Sequence, residues 1–305
     1  NDASSSNGTK TIITKPLRGL NRGLLEKYAS SKNMKHLSLA SLRDNSMYES
    51  TKDVFGTRDL PYFDIKNSDL IVSFGLDFLG SWGPVEYENQ FGKFRSKENR
   101  GYLYQIEPRM SLTAAAADKW ICSEPGKEGL IALLIAESLS KNNNVNNSNL
   151  NKFKKLAGIN NVKDLNNSNV DLSPKSVGEA TGIDYHVIEK LIEKINYSVE
   201  NGKKIMFLSG GCISGYSNSR SINALVYGLN YITGSVNSEG GIILNPQNEL
   251  KSISFNGEAI SMKSDSSWNS YKEWNEEIQN WQSGGQNLVI INNVDLLNEL
   301  SLIHI

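Results

Sequence analysis

The chain has 305 residues, with 32 Lys and Arg against 33 Asp and Glu, three His and two Cys, for a formal charge of -1. That balance excludes a basic surface that coats nucleic acid or docks on anionic lipid. Two cysteines, Cys122 and Cys212, without CxxC spacing exclude a disulfide framework and any readable zinc, haem or iron–sulfur site among these residues.

At about 150 residues per domain the length predicts two domains. The longest apolar run, Leu130 to Ala136, stops at Glu137, far short of the roughly 18 residues of a membrane span. The chain starts at Asn1 rather than Met and stops in mid-pattern at LSLIHI, and it is expected to be a piece of a longer polypeptide.

In chain order, residues 11-14 (TIIT) predict a strand, followed by a turn around Pro16 and Gly19 and a helix through Leu20, Leu24, Leu25 and Tyr28. A second strand is predicted at 36-39, then a helix reaching Phe55, punctuation at Leu60-Pro61, and an apolar strand at 69-74 (DLIVSF) closed by Gly75. Helical spacing over 82-100, marked by Val85, Tyr87, Phe91 and Phe94, leads to a strand at 102-106 and a candidate edge strand at 120-122. The helix predicted at 129-140 is apolar nearly all round, which marks it as buried. Two Asn-rich stretches, 142-151 and 160-169, read as surface loops because their composition favours turns over core.

The pattern then restarts. A helical stripe of Val187, Ile188, Leu191, Ile192 and Ile195 precedes a strand at 205-208, Gly210-Gly211, and a helix from Ser219 to Ile232 closed by Gly234. A strand-like 241-244, a hairpin-like region to 257 and a last strand at 288-291 follow. Trp268, Tyr271, Trp274, Ile278 and Trp281 recur at helical spacing, either as an aromatic packing face or as a lid. This alternation predicts an α/β fold of two doubly wound, mainly parallel, nucleotide-binding-like domains.

Ligands of open parallel sheets sit beyond the carboxyl ends of the strands, so the residues that follow each strand decide the chemistry. Gly75-Leu76-Asp77 follow the strand at 69-74, Glu107-Pro108-Arg109 follow 102-106, and Pro125-Gly126-Lys127-Glu128 follow 120-122. Carboxylates there can accept hydrogen bonds from ribose hydroxyls or from the ring N–H and amine of guanine. Each acid taken singly also reads as an ordinary cap or first-turn acid of the next helix.

Gly210 and Gly211 would let the backbone approach a phosphate or pterin, although SGGCISG lacks the GxGxxG spacing. Neither a GxSxG motif nor a triad around His36, His186 or His304 is readable. Cys212 reads as a small buried hydrophobe or as a reactive thiol.

Together these segments resemble one family. NSDLIVSFGLDFLGSW (67-82), RGYLYQIEPRMSLTAAAADKW (100-120) and SEPGKEGLIALLIAESL (123-139) are similar in order and spacing to molybdopterin oxidoreductases of the dimethyl sulfoxide reductase family. That family's strands end in G-x-N/D and in D/E-P-R, and a P-G-T-D/E opens an apolar helix. KKIMFLSGGCISG (203-215) and ALVYGLNYITGSVNSEGGIIL (224-244) resemble its next segment.

The resemblance implies a molybdenum bis(molybdopterin guanine dinucleotide) cofactor. Asp77, Glu107, Arg109 and Glu128 would face one guanosine, with Gly75 also cofactor-binding, and Gly210, Gly211 and Gly234 the other dinucleotide. It also implies a discontinuous first domain, 10-60 plus 203-295, with a Rossmann-like domain, 61-200, inserted in it. The family's cysteine cluster is missing, so iron–sulfur clusters are expected only outside this piece. Residues 36-56 offer no thiol where the family places its metal ligand; Arg43 stands roughly there, with Ser41 nearby. Asn292-Asn293 replaces a glycine turn after the last strand.

Within the family, VFGTRDLPYFDIKNSDLIVSFGLDFLGSW (54-82) most resembles the large iron–sulfur subunit of alternative complex III, a membrane-associated quinol oxidoreductase. In that subunit the molybdopterin-type domain is retained without its cofactor. Two expectations follow: a fragment that binds the cofactor for redox chemistry, or a cofactor-free structural module of an electron-transfer subunit. Both imply partner subunits of a prokaryotic redox complex, exported or membrane-associated, with no nucleic acid and no membrane span in this piece. Neither names a catalytic residue, and the piece alone is expected to turn over no substrate.

Overall fold

The structure is a computed structural model that describes residues 9-57, 59-156, 172-244, 252-255, 258-261, 267-283 and 286-294. The elements begin with β1 (Thr9–Thr14), α1 (Gly19–Ser31), β2 (Lys35–Ser38), α2 (Leu42–Phe55), β3 (Tyr62–Phe63), β4 (Leu70–Phe74) and α3 (Val85–Ser96). They continue with β5 (Tyr102–Ile106), α4 (Leu112–Ala116), β6 (Lys119–Ile121), α5 (Glu128–Ser140), α6 (Asn147–Leu156), α7 (Pro174–Thr181) and α8 (Tyr185–Glu200). The last are β7 (Ile205–Ser209), α9 (Ser219–Ile232), β8 (Ile242–Ile243), β9 (Ser252–Phe255), β10 (Glu258–Ser261), α10 (Tyr271–Gln282) and β11 (Gln286–Asn292). The chain divides into two compact units, one of residues 50-56 and 60-244, the other of the flanking residues 1-49, 57-59 and 245-305.

The first of these units is built on a four-stranded parallel sheet in the order β6-β5-β4-β7. Leu70 pairs with Tyr102 on one side and Ile205 on the other, so the predicted strands at 69-74 and 102-106 are parallel neighbours. β4 and β7 are buried along their whole length, and their unbroken apolar runs, LIVSF and IMFLS, are what a strand covered on both faces needs. Helix α5 packs into the same core with Ile131 to Ala136 and Leu139 all buried, as its all-round apolar character predicts.

β7 is an edge strand, and helix α9 closes that edge with side chains. Asn230 receives the Phe207 N–H at 3.0 Å and returns its own Nδ2 to the Phe207 carbonyl at 2.9 Å. Tyr227 donates its hydroxyl to the Ser209 carbonyl, and Ser235 donates to that of Ile205. These amide and hydroxyl groups replace a neighbouring strand, leaving no template for another chain. This pairing also moves residues 205-244 into the same unit as 60-200, whereas the resemblance placed 203-295 with 10-60.

The Asn-rich stretch 142-151, expected as a surface loop, is helical from Asn147 onward. Asn146 caps that helix by accepting the Ser148 N–H at 2.8 Å, and Phe153 is buried against Gly228, where an added Cβ would meet its ring at 2.8 Å. The other Asn-rich stretch, 160-169, lies outside the described residues.

In the flanking unit, β1 is the central strand of a parallel sheet ordered β11-β1-β2. Asn293 takes a left-handed φ of 56° just after β11, so asparagine fills the conformational role of the missing glycine turn. β9 and β10 pair antiparallel, as the hairpin-like composition predicts. Helix α10 begins with a capping box, Ser270 and Glu273, and buries Trp274 against Ile13, Leu37 and Leu39. The tryptophan repeat is therefore a packing face. Residues 295-305, including His304, lie outside the described residues.

Candidate functional site

Because β4, β5, β6 and β7 run parallel, the loops after them leave one edge of the sheet. The order β6-β5-β4-β7 reverses direction between β4 and β7, and that switch point is where doubly wound sheets open a ligand crevice. Glu107 follows β5 with only 1% of its surface exposed. Its Oε1 accepts the Ser111 N–H at 2.9 Å and its Oε2 accepts Gln105 Nε2 at 3.0 Å. Glu128 opens α5 fully buried, at 0% exposure. Its Oε1 accepts the Ser123 hydroxyl at 3.3 Å, and its Oε2 has no partner among the described residues.

Cys212 joins the two acids. Its thiol points at Glu107 Oε2 from 4.0 Å. Burial first, then the charges of Glu107 and Glu128, push the thiol up to about 11, against the pull of Arg109. A thiol held protonated at neutral pH is no nucleophile, so Cys212 is a packing residue. Tyr216 senses the same charges, and burial and those neighbours raise its hydroxyl to about 12. Arg109 itself is exposed at the rim.

Asp77 is engaged differently. Oδ1 accepts the backbone N–H and the hydroxyl of Thr113, at 3.1 and 2.9 Å, and Oδ2 accepts the Ser81 N–H at 3.0 Å. Burial pushes its carboxyl up, but these donors from Thr113 and Ser81 outweigh it and hold Asp77 below the ordinary range. Asp77 and Glu107 thus both grip the short helix α4 at its start, through Thr113 and Ser111. That is the ordinary first-turn role weighed for each acid.

A folded pKa held below the unfolded value contributes stability above the unfolded pKa, and this is lost as pH falls through the folded one. Asp77→Asn is expected to cost about 1–3 kcal/mol at neutral pH, because an amide nitrogen would face a donor. The gap from wild type should narrow below about pH 4, as the wild-type carboxyl takes up its proton. Urea midpoints of both proteins across that range check this, and a pH-independent gap would contradict it.

The glycines separate into two places. Gly75 (φ 67°) and Gly211 (φ 57°) meet at the switch point, where Cys212 donates its N–H to the Gly75 carbonyl at 3.1 Å. A Cβ on Gly211 would lie 2.1 Å from that carbonyl oxygen, so the two backbones bridge the place where a cradle would open. Gly210 leads into this contact, its N–H donated to the Phe74 carbonyl. Gly234, by contrast, follows α9 in a left-handed turn beside Ile205, at the opposite end of β7. Gly210 and Gly211 thus stand at one end of β7 and Gly234 at the other.

The site residues are Glu107, Glu128, Cys212 and Tyr216, with Arg109 at the rim, while Asp77 is engaged by Thr113 and Ser81. Sequence reasoning did not single out Gln105, Ser123, Thr113 or Tyr216. Thr113 carried a signal, since it opens the TAAAAD run of the segment after Glu107-Pro108-Arg109 that resembles the family. For a group with N–H donors, the residues fit at one point: the orphaned, buried Glu128 Oε2. In the flanking unit, Ser41 donates to Asp44 Oδ2 at 2.9 Å and accepts the Asp44 N–H, a helix-capping exchange at the start of α2. No group of three His, Cys, Asp or Glu able to hold a metal occurs among the described residues. No described helix is long and apolar enough to cross a membrane.

No protein-family profile matches the chain. It is 25% identical over 198 residues to the molybdopterin-containing subunit of arsenate respiratory reductase from Shewanella sp. (strain ANA-3), covering 59% of this chain and 23% of that protein. It is 25% identical over 194 residues to the menaquinone reductase molybdopterin-binding-like subunit of Nitratidesulfovibrio vulgaris, covering 62% and 26%. The chain thus spans about a quarter of the length of these curated relatives. Among solved structures, acetylene hydratase from Pelobacter acetylenicus superposes with a TM-score of 0.56 at 16% identity, over 77% of this chain and 31% of that one, which is a likeness of fold. The chain is thus similar in sequence to molybdopterin-containing and molybdopterin-binding-like subunits of respiratory reductases.

Proposed function

We propose that the chain is part of a molybdopterin oxidoreductase-family subunit and that Glu107 and Glu128 receive the guanine end of a molybdopterin guanine dinucleotide. The observation that carries this is the unpartnered, buried Glu128 Oε2 at the same carboxyl edge of a parallel sheet as Glu107. A buried acceptor without a partner is expensive unless a ligand donor satisfies it. Arg109 at the rim would offset the carboxylate charge. When bound, the molybdenum group would supply the redox chemistry, while the residues of this chain bind and orient its nucleoside end. Electron-transfer partners and iron–sulfur clusters belong, on this reading, to other parts of the complex.

The test is binding of guanosine 5′-monophosphate and adenosine 5′-monophosphate to the chain, measured by calorimetry. Guanosine 5′-monophosphate should bind more tightly, and Glu107→Gln or Glu128→Gln should each weaken it about tenfold or more. Equal binding of both nucleotides, or variants without effect, would end the reading.

A second reading, a cofactor-free structural module of a quinol-oxidising electron-transfer subunit, is favoured by the Gly75–Gly211 backbone bridge across the switch point. Molybdenum analysis of the full-length native complex separates the two readings: a stoichiometric metal supports the first, and an intact complex without it supports the second.

A further inference from the structure

Resting on the nucleoside reading of the same sheet edge, we infer that Glu128 makes occupancy proton-linked. Its buried, unpartnered Oε2 holds a proton in the ligand-free protein, and a ligand N–H donor takes that proton's place.

The geometry leaves few alternatives. Glu128 has no exposed surface, its one side-chain hydrogen bond, from Ser123, is long at 3.3 Å, and its Oε2 has no partner among the described residues. A carboxylate stripped of water and bonded on one oxygen only is costly, and a proton removes the charge more cheaply than the fold can pair it. The groups that surround it supply little help. From the loop after β5 come Glu107, itself an acid, and Arg109, exposed at the rim. From the turn after β7 come Cys212 and Tyr216, both held protonated. From the start of α9, Arg220 is committed to Asp53 at 2.6 Å, and Asn218 donates to the Gly126 carbonyl. On its own helix, the neighbouring Lys127 is exposed.

Burial accordingly pushes the Glu128 carboxyl above the ordinary range, with the Glu128 N–H, the Ser123 hydroxyl and the Gly126 N–H pulling back only in part.

The proton balance is simple. The free protein carries Glu128 as the acid; the complex carries the carboxylate hydrogen-bonded to the ligand N–H; one proton goes to solvent. Binding therefore weakens as pH falls below the folded pKa, by up to about tenfold per pH unit. A nucleobase N–H donor suits this exchange, because it would satisfy the unpartnered Glu128 Oε2.

The experiment reads the proton directly. Infrared difference spectra of the ligand-free chain, wild type against Glu128→Gln at about pH 6, should show a protonated-acid carbonyl band absent from the variant. Ser123→Ala, which removes the carboxyl's one side-chain donor, should carry that band to higher pH. Calorimetry of guanosine 5′-monophosphate in buffers of different ionisation heat should then show about one proton released per nucleotide bound. A missing acid band, or nucleotide binding with no proton released, overturns the inference and leaves the nucleoside reading standing. An acid band with no nucleotide binding at any pH sinks the nucleoside reading, and the linkage with it, but not the buried acid.

Discussion

Gly211→Ala is expected to cost about 3–5 kcal/mol of stability in the unit of residues 60-244, enough to unfold a marginal domain. Two effects add. A non-glycine residue in the left-handed region costs about 1–2 kcal/mol, and Gly211 sits there at φ 57°. The new Cβ would also stand 2.1 Å from the Gly75 oxygen and 3.2 Å from the Leu76 Cα, both backbone atoms that no rotamer change can move. Relief would require the ends of β4 and β7 to part, breaking the bond from the Cys212 N–H to Gly75.

Gly215→Ala is the control, since nothing lies within 4 Å of its added Cβ; its effect should stay within about 0.5 kcal/mol. Urea midpoints compare the two, and equal values would show that the bridge is not the rigid contact described. The result also bears on function, because a bridge that the fold depends on cannot double as an open phosphate cradle.

The strands of the central sheet were legible because burial on both faces leaves an unmistakable signal: LIVSF and IMFLS contain no charge, and each ends in glycine or serine-glycine. Helix α5 was legible for the same reason. The Asn-rich helix α6 was not, because its only described inward anchor is Phe153, and asparagine favours turns in the absence of that tertiary contact. The placement of β7 is not legible for a different reason. Its partner is set by pairing with β4, a long-range contact that leaves no local trace, and the resemblance supplied a boundary in its stead.

At the site, the sequence marked the acids but not their division of labour. Asp77, Glu107 and Glu128 look alike as strand-end carboxylates. Asp77 has both oxygens occupied by Thr113 and Ser81, whereas one Glu128 oxygen has no partner. That difference depends on which donors the loops bring back, and Gln105 and Ser123 are too ordinary in sequence to announce themselves. Gly234 was recognisable as a helix terminator, yet its distance from Gly210 follows only from the antiparallel return of α9 along β7.

Trp274→Ala is expected to cost about 3–5 kcal/mol in the flanking unit. The side chain is fully buried against Ile13, Leu37 and Leu39, and Trp281 meets its ring edge-on with centroids 6.3 Å apart. Its Nε1–H also donates to the Ser38 carbonyl at 3.0 Å, tying α10 to the end of β2. Trp274→Phe keeps most of the apolar burial but removes this donor, and should cost only about 1–2 kcal/mol. The ordering of wild type, Trp274→Phe and Trp274→Ala can be read from urea unfolding followed through the remaining tryptophans of that unit, Trp268 and Trp281. A lid would behave otherwise: truncating it would leave the midpoint in place and alter ligand release instead. An unmoved midpoint in Trp274→Ala would therefore return the aromatic repeat to the lid reading that its helical spacing also allowed.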